Sequence, residues 1–269
     1  MDGTRGQIPG SGGVSIGVLT AGTGPDLLLI HGGAGQLESW QPMWDMLARR
    51  WRVTAMDRRG RATSGDAEPY AISSEFGDVA AVAARLAERA GGPVDVFGHS
   101  YGATCALGAA SLGAPLRRLV LYEPPGPAAA PPEWAERMAA FVDRGQVGRA
   151  MVSFLSERIG LTDARIDELK RAPRAYDVLP IVRTLPREAR ALAGVDLPGL
   201  AGGVTCPVLL LLGTDSPAWA HDLTAALAAA LPRAEVAALA GQGHDAVDTA
   251  PDLVAAELGR FLTGGPPAG

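Results

Sequence analysis

The pentapeptide Gly98-His99-Ser100-Tyr101-Gly102 constrains this chain more than any other stretch. A short β-rich run from Pro93 to Phe97 leads into it, and a segment of small residues with helical character follows to about Gly113. A strand that must turn at once into a helix leaves its apex residue in a strained backbone conformation. Side chains at 98 and 102 would collide with the neighbouring strand and helix, so glycine at both positions is what such a turn requires. The turn lifts the Ser100 hydroxyl clear of the sheet, near the first amides of the next helix, where negative charge is favoured. An ordinary glycine-rich turn carrying a serine reads the same way, so the meaning of Ser100 depends on the partners the rest of the chain supplies.

Around this turn, short apolar runs alternate with helical patterns. Val14 to Thr20 suggests a first strand, and Asp26 to Ile30 is continuously apolar after its first residue, as in a strand buried on both faces. That run ends in the flexible turn His31-Gly32-Gly33-Ala34-Gly35. A helix spaced by Trp40, Met43, Trp44 and Leu47 follows, then a strand over Arg52–Met56 that ends at Asp57. The polar loop Arg58 to Gly65, an Ala-rich helix over Ser74–Ala90 and a strand over Leu116–Tyr122 come next. Such alternation predicts a parallel, doubly wound α/β sheet covered on both sides. The pattern breaks at the Pro/Ala stretch Glu123 to Pro132. From there to about Gly199 the spacing predicts helices only, over Trp134–Val142, Val147–Ile159 and Ala164–Ala172. Strands and helices resume at Pro207–Leu212, Ala218–Leu231, Glu235–Leu239 and Pro251–Phe261. The division expected is a core of residues 1–123 and 204–269 with a helical cap inserted at 124–203.

Composition narrows the function classes. A chain of 269 residues, 47% hydrophobic and 20% charged, suits one large globular domain with an insertion. A net charge of −5 argues against nucleic acid or an anionic membrane surface as partner, since both demand a basic face. The polar, glycine-rich start lacks a signal-peptide pattern and no run is apolar enough to span a bilayer, so a cytoplasmic home is expected. Cys105 and Cys206 read as small core residues rather than as a disulfide or reactive thiols. With no His/Cys/Asp cluster at ligand spacing, neither a metal nor a cofactor is expected. The expected partner is a small-molecule substrate, with a homodimer as an admissible assembly.

A serine hydroxyl is a weak nucleophile at neutral pH and needs a general base. Of the four histidines, His244 follows the last strand in Gly243-His244, at the sheet edge where open α/β sheets place their ligands. It is the base candidate. His221 reads as a solvent-exposed helix residue, and His31 and His99 as turn-binding structural groups. Asp57 reads as the organiser of the Arg58, Arg59 and Arg61 turn, with a carboxylate-binding role for those arginines as the alternative. Asp245 and Asp248 read as loop charges or helix caps. Tyr122 and Trp134 line a pocket or pack a core.

Taken together, His31-Gly32-Gly33, Asp57-Arg58-Arg59-Gly60, the serine pentapeptide and the late Gly243-His244 resemble the α/β-hydrolase fold family over nearly the whole chain. The resemblance implies an eight-stranded, mostly parallel sheet. It also implies an oxyanion hole from the backbone amides of Gly33 and Tyr101. For the carboxylate partner of His244 it leaves two positions open. One follows the penultimate strand in a Gly-x-x-Asp-Pro pattern; here Gly213-Thr214-Asp215-Ser216-Pro217 carries Asp215 one residue early. The other, used by relatives of the haloalkane dehalogenases, follows the strand after the serine helix and is Glu123 here. Glu123 stands slightly ahead. The activity expected is hydrolysis of an ester, thioester or lactone of a small, largely apolar substrate through an acyl-enzyme on Ser100, as in a carboxylesterase. The alternatives are C–C bond hydrolysis, lyase or acyl-transfer chemistry on the same triad, and a binding protein that keeps the fold without turnover.

Overall fold

The computed structural model describes residues 1–171 and 179–264. Eight strands form a single sheet in the order β1-β2-β4-β3-β5-β6-β7-β8. They are β1 (Thr4–Pro9), β2 (Ser15–Ala21), β3 (Asp26–Ile30), β4 (Arg52–Met56), β5 (Val94–His99), β6 (Leu116–Tyr122), β7 (Val208–Gly213) and β8 (Ala234–Leu239). β1 pairs antiparallel with β2 and β2 antiparallel with β4; every other pairing is parallel.

The apolar runs are buried on both faces because successive side chains point to opposite sides of the sheet. Leu28 and Ile30 of β3 enter one core with Val96, Leu119, Leu121 and Leu210. Leu27 and Leu29 enter the other with Phe97, Val120, Leu209 and Leu211. Helix α1 (Gln41–Ala48) covers the second face together with α11 (Pro251–Thr263), and α2 (Ile72–Ala90) and α3 (Tyr101–Ser111) cover the first. β1 is not expected from the sequence pattern. Its side chains are exposed at almost every position, so it has no buried face and hence no apolar alternation to read.

Between β6 and β7 the described residues form α4 (Pro132–Asp143), α5 (Val147–Ser153), α6 (Asp163–Arg171), α7 (Leu185–Leu192) and α8 (Leu197–Ala201). The helix expected over Val147–Ile159 changes pitch, α5 running into a π-helical turn at Phe154–Arg158. Ala172, the expected end of the next helix, lies outside the described residues. α4 and α7 pack on each other, while α8 packs against α3 and α9 (Ala218–Ala230). The short α10 (Ala246–Thr249) joins the β8 loop to α11. Both cysteines are free thiols, Cys105 buried and Cys206 half-buried. Among the described residues no helix is long and apolar enough to cross a membrane.

Candidate active site

The parallel strands bring His31, Asp57, Ser100, Glu123 and the loop after β7 to one edge of the sheet, where their C-terminal ends lie. Ser100 is the turn between β5 and α3, with φ 54° and ψ −127°. A Cβ at Gly98 would come within 2.6 Å of the Ala103 Cα, and one at Gly102 within 2.3 Å of the Ile30 carbonyl oxygen. Real Cβ atoms do not approach backbone so closely, so both positions require glycine. Among the described residues only Ala62, Ser100 and Glu123 combine a side chain with positive φ. Two of these three strained backbones therefore stand at the chemical edge.

His244 and Glu123 meet there: Nδ1 of His244 lies 2.5 Å from Oε2 of Glu123. The other carboxylate oxygen accepts the Gly213 N–H at 2.7 Å and the Ser216 hydroxyl at 2.6 Å. Burial raises the pKa of Glu123, but the bonds from His244, Ser216 and Gly213 outweigh it and hold the group below the ordinary carboxylate range. The carboxylate fixes the proton on Nδ1 and leaves Nε2 as the basic atom. Nε2 is buried with no hydrogen-bond partner among the described residues. Asp215 does not join them. Its side chain is exposed and accepts a hydrogen bond from the neighbouring Thr214 hydroxyl at 3.0 Å. At that end of β7 it is the next residue, Ser216, that reaches Glu123.

The His244 loop is held through two consecutive carbonyls. The Tyr122 hydroxyl donates to Gly243 O, and His99 Nε2–H donates to His244 O at 2.9 Å. Burial, reinforced by His244, pushes His99 down to about 3, so it is neutral at physiological pH. Tyr122 and His99 thus hold the His244 imidazole in place through its backbone, the turn-binding role expected of His99, whereas the part of Tyr122 is one that composition and spacing do not reveal. His221 is half-buried on α9 rather than exposed, and Asp245 pairs with Arg165 of α6 at 3.2 Å.

The glycine loop after β3 is braced from below. His31 Nε2 accepts the Arg58 N–H at 3.1 Å, so Nδ1 carries the proton and donates to Gly32 O at 2.9 Å. Burial, then the charges of Arg58 and Arg61, keep this imidazole neutral. Arg58 Nη1 and the Gly35 N–H reach the same Gly32 carbonyl, at 3.1 and 3.2 Å. In a trans peptide the following N–H points opposite to the C=O, so this anchoring turns the Gly33 amide the other way. The loop rests on the serine, with an ideal Cβ at Gly32 only 3.0 Å from the Ser100 Cβ. Among the described residues the Gly33 N–H bonds no backbone group. At the start of α3 the amides of Tyr101 and Gly102 bond no backbone group among the described residues, whereas Ala103 N–H already reaches Ser100 O at 2.7 Å.

The arginines spend their charge inside the protein. Arg58 pairs with both oxygens of Glu75, at 2.7 and 2.8 Å, and Arg59 with Asp78 at 2.7 Å. Arg61 holds Gly33 O at 2.6 Å and Glu188 of α7 at 2.5 Å. Asp57 is saturated by the Leu37 and Thr63 amides and the Thr63 hydroxyl. Glu188 is the member of this cluster that sequence reading missed. It arrives from a helix 127 residues beyond Arg61, and no local motif marks it.

Ser100 stands between two cavities. One of about 50 Å³ is closed by Ala130, Trp134, Phe154, Leu185, Leu192 and Glu188. The other, about 160 Å³, runs past His99 and His244 toward Arg165. A larger groove of about 760 Å³ lies along β1 and β2 and beside Arg52, the first residue of β4. That residue opens a strand that runs toward the serine edge, so the groove is remote from Ser100. Among the described residues no group of three or more His, Cys, Asp and Glu could hold a metal ion.

A profile of the alpha/beta hydrolase family matches residues 27–257. The chain belongs to the alpha/beta hydrolase family. A solved alpha/beta hydrolase from Sphaerobacter thermophilus is 32% identical, with 96% of this chain and 100% of that one covered at a TM-score of 0.82. An enol-lactonase from Burkholderia xenovorans shares the fold at 20% identity, covering 94% of this chain and 98% of its own, with a TM-score of 0.77. An esterase from a Rhodococcus species does so at 22%, covering 96% and 98%, also at 0.77. The uncharacterized hydrolase YraK of Bacillus subtilis is 33% identical over 104 residues. That match takes in 38% of this chain and only 36% of the Bacillus protein.

Proposed function

We propose that this alpha/beta hydrolase is a cytoplasmic carboxylesterase-like enzyme that cleaves a small ester, thioester or lactone through an acyl-enzyme on Ser100. The observation that carries the reading is the Glu123–His244 pair, which leaves a basic Nε2 on the cavity that Ser100 also lines. Ser100 Oγ attacks the carbonyl carbon while His244 Nε2 takes its proton. Glu123 stabilises the imidazolium and keeps its tautomer. The developing oxyanion accepts from the Gly33 and Tyr101 amides, each worth about 3 kcal/mol in the transition state. His244 then returns the proton to the leaving oxygen or sulfur. Water, deprotonated by the same nitrogen, releases the acid and restores the serine.

The two cavities divide the substrate. The smaller, largely apolar one takes a short acyl group, and the larger one beside His244 takes the leaving group. Helices α4 to α7 act as the cap that shapes the acyl side and keeps water from it. The test is labelling with a fluorophosphonate together with hydrolysis of short-chain aryl esters. An adduct on Ser100 with ester turnover, both lost in Ser100→Ala, is expected; no adduct and no turnover in the wild type sinks the reading.

A further inference from the structure

Glu188 carries a feature of the acyl cavity that an apolar substrate leaves unexplained. Its side chain is 3% exposed. Oε1 is held by Arg61 at 2.5 Å and by Arg58 at 2.9 Å. Oε2 is buried and has no hydrogen-bond partner among the described residues. It lines the cavity that holds Ser100, and lies 3.6 Å from where a Cβ on Gly33 would stand. A buried carboxylate oxygen without a donor costs free energy that a ligand's donor recovers.

We propose that Glu188 Oε2 is a specificity-determining acceptor for a neutral hydrogen-bond donor, a hydroxyl or amide N–H, on the acyl part of the substrate. The inference rests on the hydrolase reading, because it takes the scissile carbonyl to lie on the Gly33 amide. That places the donor on the α or β carbon of the acyl group, within a few bonds of the carbonyl. Charge selects a neutral group. Arg58 and Arg61 are balanced by Glu75 and Glu188, and Arg158 lines the same cavity, so an ammonium meets nearby guanidinium charge. An acyl carboxylate meets Glu188 itself. The acceptor stands on one side of the cavity, so recognition is enantioselective.

The test compares hydroxyacyl aryl esters with isosteres in which methyl replaces hydroxyl. The pairs are 2-hydroxypropanoate with 2-methylpropanoate, and 3-hydroxybutanoate with 3-methylbutanoate, each hydroxy ester as both enantiomers. Rates are corrected for intrinsic reactivity toward hydroxide. In the wild type, kcat/KM for one enantiomer of one hydroxy ester exceeds that of its isostere on the order of tenfold or more, as expected for a bond to a charged acceptor. In Glu188→Gln the two arginines claim the amide oxygen and turn the NH2 toward the cavity, so the substrate hydroxyl meets a neutral donor instead of a charged acceptor and the preference falls several-fold. Equal turnover of hydroxy ester and isostere by the wild type overturns the proposal without need of the variant. So does a preference that survives undiminished in folded Glu188→Gln. Turnover of none of the esters, with no adduct on Ser100, refutes the hydrolase reading beneath it and is thereby told apart.

Discussion

Glu123→Gln separates the two carboxylates that the sequence left open, and the structure says what it should cost. Glu123 is fully buried and accepts three hydrogen bonds, from His244, Gly213 and Ser216. A glutamine cannot serve all three in the same way. If its oxygen faces the Gly213 amide, its NH2 faces Nδ1 and moves the histidine proton to Nε2, which removes the base. If its oxygen faces Nδ1, the NH2 opposes the Gly213 N–H and a buried donor goes unmet, at about 1–3 kcal/mol of stability. Either way the imidazolium formed during attack loses its counter-charge. The expected loss in kcat is on the order of 10⁴-fold by the logic of triad acids. That equals about 5 kcal/mol of transition-state stabilisation. Asp215→Asn, at an exposed side chain that does not reach His244, should stay within about threefold, a surface-substitution effect of well under 1 kcal/mol. Aryl-ester turnover, with melting curves to confirm folding, reads both. A Glu123→Gln loss below tenfold, or an Asp215→Asn loss above a thousandfold, refutes the assignment. The pH sign follows from the depressed Glu123 pKa. Its stabilising contribution is fully present above the unfolded carboxylate pKa and disappears as pH falls through the folded one. The stability gap between wild type and Glu123→Gln should therefore close on acidification.

Gly102→Ala drives a Cβ into the Ile30 and His31 carbonyl oxygens, at 2.3 and 2.5 Å, so the end of β3 must move. A loss of about 2 kcal/mol or more in urea unfolding is expected, and a loss under 0.5 kcal/mol contradicts the reading. His99→Phe keeps a ring beside Tyr122 and His244 but removes the donor to the His244 carbonyl. It should lower kcat on the order of tenfold, as the cost of one lost hydrogen bond, and leave the pH profile unchanged because His99, at about 3, does not titrate near neutrality. A shifted profile would show that His99 exchanges protons in the reaction. Trp134→Ala enlarges the acyl cavity, and kcat/KM across acetyl to octanoyl esters should shift toward longer chains. An unchanged chain-length order would place the acyl group elsewhere.

What could be read from the sequence was whatever depends on neighbours in the chain. Gly98 and Gly102 flank Ser100 by the demands of one tight turn. The apolar runs of β3 and β7 announce strands with two buried faces, and the His31 and Asp57 turns follow directly from strand ends. Contacts across the sheet edge carry no such local mark. Which carboxylate meets His244 depends on how far the β6 and β7 ends project, a matter of register between distant strands. His99 was legible as a turn-binding group, but its partner was not: Tyr122 and His99 grip the His244 loop through its backbone, and hydrogen bonds to a carbonyl impose no side-chain requirement on the residue that is gripped. β1 escaped notice because it pairs by its backbone while facing water. Glu188 shares the buried face of α7 with Leu185, Ala189 and Leu192, yet a lone glutamate among them looks in the sequence like one more solvated charge.

One guanidinium, that of Arg61, touches the Gly33 carbonyl, the Thr184 hydroxyl and the Glu188 carboxylate. The helical insertion is therefore not a detachable module of this protein. A chimera that exchanges it for the insertion of a relative removes the counter-charge of a buried arginine and loosens the Gly33 peptide beside Ser100. Transplants that bring a side-chain oxygen acceptor for Arg61 to the place of Glu188, a carboxylate or an amide, should retain a working core, whatever else they change, and those that leave that arginine without one should lose catalysis on every substrate at once.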